Sequence, residues 1–135
     1  MRYPIAIESG DRKHAYGVVF PDMPGCYSAG DSFDEAAANA EEAALLWLEA
    51  HLEKGHGAPK ASRVEDLKGK REYRGWVWAI VDVDLSKLSK KAIRVNVTLP
   101  ETLLNAIDNR AGRIGETRSG FLARAAIERL EKEII

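Results

Sequence analysis

Arg94, Asn96 and Thr98 occupy every second position of the run Ile93-Arg94-Val95-Asn96-Val97-Thr98-Leu99-Pro100. Their chemistry is recognition, with no bond made or broken. A guanidinium donates two hydrogen bonds to guanine, a carboxamide pairs bidentately with adenine, and a threonine hydroxyl serves either base. The same three side chains are also what an amphipathic edge strand turns towards water. Taken alone, the run supports both readings equally.

The elements around it decide what the run can do. Strict alternation predicts a strand whose Ile93, Val95, Val97 and Leu99 form one apolar face. Pro100 suits the first turn of a helix, where a missing N–H costs nothing. Leu103, Leu104, Ile107 and Ala111 give a helical stripe over Glu101–Ala111, and Gly112 and Gly115 bracket a turn. Thr117 is a fair N-cap for a second helix, whose buried stripe is Phe121, Leu122, Ala125, Ala126, Leu130 and Ile134. A helix N-terminus presents free N–H groups and partial positive charge, so Thr117, Arg118 and Ser119 are candidate phosphate contacts. One strand and two helices of this size cannot bury a core alone. The strand needs a partner, and a second copy of the chain is the simplest one.

From Lys91 to Ile135 this layout resembles the ribbon-helix-helix DNA-binding family. The resemblance implies that strands from two chains pair antiparallel and enter the major groove as a ribbon. Arg94, Asn96 and Thr98 would then contact base edges, and Thr117, Arg118 and Ser119 would contact phosphates. The tail departs from a strongly basic arm, because only Lys87, Lys90 and Lys91 precede the strand.

Charge divides the chain. Met1 to Gly55 carries four Lys/Arg against ten Asp/Glu, a net of −6, whereas Ala92 to Ile135 carries seven against six, a net of +1. An acidic front is a poor nucleic-acid surface but suits a basic protein partner; the plainer reading is a solvated helix. No apolar run approaches membrane-spanning length and no signal-peptide pattern opens the chain, so a cytoplasmic location is expected. The single cysteine, Cys26, agrees with that.

In the front half, Tyr3, Ile5 and Ile7 alternate, Ser9-Gly10-Asp11 reads as a turn, and Ala15–Phe20 reads as the returning strand. Pro21 to Cys26 is a rigid Pro/Gly turn, followed by a short third strand at Tyr27–Ala29. Ser32 and Glu35 stand at capping-box spacing, and Ala36, Ala37, Ala40, Ala43, Ala44, Leu48 and Leu52 predict a helix lying close against a sheet. Gly55 and Gly57 end it. Lys60, Arg63, Lys68, Lys70, Arg71 and Arg74 crowd a loop in which Ser62 and Glu65 could cap one turn; contact with RNA or DNA and a solvated loop are the two readings, the loop favoured. Trp76–Val83 is the strongest strand pattern, expected at the centre or end of the sheet.

Other reactive side chains give little. Asp11, Asp22, Asp31 and Glu35 could hold Mg²⁺ only if they converge, and turn or cap roles suit them better. His14, His51 and His56 lack metal-ligand spacing. Cys26 has no base or orienting group beside it in sequence.

The Phe20-Pro21-Asp22-Met23-Pro24-Gly25-Cys26 turn, with Gly30-Asp31-Ser32, Glu35-Ala36 and Ala40, is similar to the HicB antitoxin family. Leucine usually stands where this chain has Met23, a swap that keeps the hydrophobic bulk. The resemblance, from about Tyr3 to Val83, implies an antitoxin that is not an enzyme. It also implies a HicA-like toxin partner, an mRNA-cleaving RNase, and repression of the antitoxin's own operon. No residue here is assigned to the toxin contact. The expected fold is α+β: a sheet packed with one main helix over residues 1–84, a linker over 85–91, and a ribbon-helix-helix (β-α-α) dimerisation domain over 92–135. The expected partners are toxin, operator DNA and a second copy, with higher assembly left open; no cofactor or metal is expected. The alternatives are a stand-alone ribbon-helix-helix regulator with a ligand-sensing front domain and, third, a metal-dependent nuclease.

Overall fold

The computed structural model describes residues 1–88 and 92–132. Lys90 and Lys91, expected before the tail strand, and Ile134, expected in the last helical stripe, lie outside the described residues. Strands β1 (Arg2–Glu8), β2 (Tyr16–Val19), β3 (Tyr27–Gly30) and β4 (Val77–Asp82) form an antiparallel sheet in the order β3-β2-β1-β4. The last strand pattern in the front half therefore takes an edge, and β1 takes the interior. Its five consecutive buried residues reflect that place: Tyr3, Ile5 and Ile7 face the core, while the small Pro4 and Ala6 on the other face lie beside the larger Ile80 and Trp78 of the paired strand.

Helix α1 (Phe33–Glu53) covers one face. Ser32 Oγ accepts from the Glu35 N–H at 3.1 Å, while the Glu35 carboxylate accepts from the Asp31 N–H at 3.3 Å, one residue earlier than a standard capping box. Ala36, Ala40, Ala44 and Leu48 recur every fourth residue and are fully buried. Their small side chains let the helix close on Tyr3, Ile5, Ile7, Val18 and Val81. The helix stops at Gly55, whose φ of 87° only glycine tolerates well, with the His56 N–H turned back to the His51 carbonyl at 3.2 Å.

The basic loop contains two single turns, α2 (Val64–Leu67) and a 3₁₀ turn at Arg71–Tyr73. The expected Ser62–Glu65 cap is not made. Ser62 instead donates to Asp22, from its hydroxyl at 2.5 Å and its N–H at 2.9 Å. A long-range carboxylate outcompetes the local cap and pins the loop to the Pro/Gly turn.

In the tail, α3 (Glu101–Arg113) and α4 (Arg118–Lys132) follow an extended Pro100. Pro100 sits at the cap, one place before the first turn. Helix α3 runs through Gly112 and ends at Gly115, where φ is 72° and the Glu116 N–H reaches the Ala111 carbonyl at 2.8 Å. Gly57 does not end α1. It receives α4: any Cβ there would strike the Glu131 nitrogen and the Ile127 carbonyl oxygen, and Ile127 packs against the main core.

Candidate nucleic-acid interface

Residues 92–100 join no strand within the chain. In the single chain the expected strand has no partner and its apolar face no cover: Ile93, Val95 and Val97 are 75%, 72% and 68% exposed. Alternation supplies a face but not the neighbour whose backbone completes a ladder. Arg94, Asn96 and Thr98 are exposed as well. The segment borders an open groove of about 1300 Å³ whose other wall carries Arg118, Ser119 and Leu122. The fold therefore brings five of the six sequence-predicted contacts to one groove; Thr117 does not line it and serves as the cap of α4, accepting from the Gly120 N–H at 3.0 Å.

Arg118 is already engaged. Its Nε and Nη2 donate to the two Asp108 carboxylate oxygens at 2.9 and 2.7 Å. Those hydrogen bonds hold the Asp108 carboxyl below the usual carboxylate range and raise the guanidinium further. Any phosphate at this helix end must share or displace Asp108. The sequence spacing of residues 108 and 118 gave no hint of this pair, because it depends on how the turn folds α4 back on α3.

The remaining reactive groups stay apart. Asp11 accepts from the Lys13 and His14 N–H groups, which lower its carboxyl below the usual range together with the His14 ring at 3.0 Å. Asp22 serves Ser62, and Glu35 caps α1. Among the described residues, no group of three or more His, Cys, Asp or Glu could hold a metal. Cys26 is buried, and burial pushes its thiol up to about 11. His51 stacks between Trp47 and His56, at 4.4 and 4.7 Å between ring centroids, and burial leads in lowering its basicity. Among the described residues, no helix is long and apolar enough to cross a membrane.

Two features escaped the sequence reading. One is the seat of α4 on Gly57. The other is an aromatic row on the sheet face opposite α1, where Tyr27 pairs with Val19, Val19 with Ala6, and Ala6 with Trp78. The period-two spacing of Trp76, Trp78 and Ile80 was its only signal.

Residues 3–126 match the family described as HicB_like antitoxin of bacterial toxin-antitoxin system, and the chain belongs to that family. It is an antitoxin by class, as the front-half motif implied. A protein of Haemophilus phage HP1 (strain HP1c1), described as an uncharacterized 14.9 kDa protein in the rep-hol intergenic region, is 41% identical over 132 residues, covering 96% of this chain and 98% of that one. The crystal structure of the Burkholderia pseudomallei antitoxin HicB is similar at 46% identity and a TM-score of 0.79, covering 96% of this chain and 98% of that one. A HicA3 and HicB3 toxin-antitoxin complex contains a chain similar at 29% identity with a TM-score of 0.52, covering 62% of this chain and 99% of that one.

Proposed function

We propose that this antitoxin neutralises a small HicA-like RNase toxin with its front domain, residues 1–84, and represses its own operon with a dimeric ribbon-helix-helix tail, residues 92–135. The observation that carries the tail's role is the alternating segment at Ile93–Leu99, which is fully polar on one side, apolar on the other, and unpaired in the single chain. Two such segments, paired antiparallel, would bury Ile93, Val95 and Val97 and leave Arg94, Asn96 and Thr98 facing a major groove. Arg118 and Ser119, with the Thr117 cap, would meet flanking phosphates.

The partner assignment is supported by the similar chain found in the HicA3 and HicB3 complex. Charge agrees with it: α1 turns Asp34, Glu42 and Glu53 to solvent around an exposed Leu46, a surface suited to a cationic protein. Neither role calls for catalysis or a cofactor, and both suit the cytoplasm. The test is a chain ending at Asp84, compared with the full chain. The shortened chain should bind toxin and lose the operator. Retained sequence-specific repression would overturn the division of labour.

A further inference from the structure

The sheet face opposite α1 carries chemistry that neither the toxin surface proposed on α1 nor the tail accounts for. Tyr27 and Trp78 lie at the two ends of one row crossing all four strands, with Val19 and the small, buried Ala6 between them. Tyr73 stands against the same face, edge-on to Trp76 at 5.7 Å and to Trp78 at 5.2 Å. Tyr73 and Trp76 line two grooves at once. One, of about 340 Å³, continues to Tyr27, which is 67% exposed. The other, of about 730 Å³, is bordered by Lys68, Lys70, Arg71 and Arg74. All four cations are exposed. Lys68 has Glu65 nearby, but Lys70, Arg71 and Arg74 have no carboxylate ion pair among the described residues. Glu72 is the acidic side chain within the strip.

We propose that this strip binds single-stranded RNA, with bases stacking on Tyr27, Tyr73, Trp76 and Trp78 and the phosphates running past Lys70, Arg71 and Arg74. Aromatic faces accept any base, and a flanking line of cations follows the backbone without reading sequence. A duplex cannot use such a platform, because its bases are already stacked; RNA is the nucleic acid that offers unstacked bases in loops and ends. The charge also argues against a cationic protein on this face. The acidic surface of α1 lies on the other side of the sheet, so the two ligands would not compete for one surface.

The test uses the full chain with a fluorescein-labelled oligo(rU) 12-mer, read by anisotropy with saturating duplex DNA present to occupy the tail. Oligo(dT) of the same length and toxin binding are measured in parallel. Tyr27→Ala, at an exposed site, should weaken oligo(rU) binding at least fivefold. Arg71→Ala combined with Arg74→Ala should reduce the salt slope by about 1.4, from roughly 0.7 per phosphate contact on a single strand. Toxin affinity should be unchanged in both variants. Oligo(dT) should bind comparably, because stacking and backbone charge do not read the 2′-hydroxyl. The proposal is overturned if oligo(rU) does not bind, or if the variants lose toxin while keeping RNA. That last outcome would make the strip the protein interface. Loss of toxin binding by the wild-type chain would instead strike at the antitoxin reading and leave the RNA measurement standing.

Discussion

Replacing Gly57 with alanine tests whether the tail is seated on the front half. A methyl group there would stand 2.9 Å from the Glu131 Cα and closer still to the Glu131 nitrogen and the Ile127 carbonyl oxygen. Carbon contacts are comfortable only from about 3.5 Å. All three obstacles are backbone atoms, so no rotamer change relieves the clash. Helix α4 must shift in place, at the roughly 1–3 kcal/mol typical of overpacking, or lift away. Lifting limits the cost, because it forfeits no more than the docking energy itself. For a chain of this length the change corresponds to roughly 3–12 °C in Tm. It also predicts hydrogen exchange about 5- to 150-fold faster along α4. All three tryptophans, Trp47, Trp76 and Trp78, belong to the front half, so their fluorescence follows that half's own melting. The expected pattern is loss of exchange protection concentrated between residues 123 and 131, with a smaller shift in the tryptophan transition. Unchanged melting together with unchanged exchange there would refute the seat.

Three further outcomes follow from the tail and the core. Asn96→Ala should cost roughly 1–3 kcal/mol at one base pair, read by gel shift on base-substituted operators, with toxin binding intact; equal loss on every sequence would remove Asn96 from base readout. Arg118→Ala should weaken all sequences alike and flatten the salt slope by about 1, whereas Asp108→Asn should tighten sequence-independent binding by releasing the guanidinium. Weaker binding in Asp108→Asn would show that the pair positions Arg118 rather than occupying it. Cys26 is held protonated in the folded state up to about pH 11, so the folded chain keeps a proton that the unfolded chain releases above about pH 9. Its contribution to stability should be lost as pH rises through that window, and Cys26→Ala should flatten this part of the alkaline decline in urea melts; an unaltered decline would assign it to other groups.

What the residues disclose by themselves is local. Ser32 with Glu35, the four-residue spacing of Ala36, Ala40, Ala44 and Leu48, and the Thr117 cap each follow from interactions within one or two turns, and each is present in the fold. The alternation of Tyr3, Ile5 and Ile7 likewise shows which face of β1 meets α1. Contacts that join distant parts of the chain left no comparable trace. Ser62 abandons its own turn for Asp22, Tyr3 donates to the Pro59 carbonyl at 2.7 Å, and Asp108 claims Arg118. The aromatic row depends on the register of four strands, which no single strand contains. The segment at Ile93–Leu99 is the opposite case. Its pattern is plain in the sequence, yet one copy of the chain offers nothing to complete it.

That incompleteness is most directly tested by sedimentation equilibrium of the full chain at micromolar concentration, beside Val95→Asp. The account predicts a dimer or a multiple of it for the natural chain and a folded monomer for the variant, because a carboxylate on the apolar side of the ribbon would be buried unpaired. A natural chain that sediments as a monomer would contradict it.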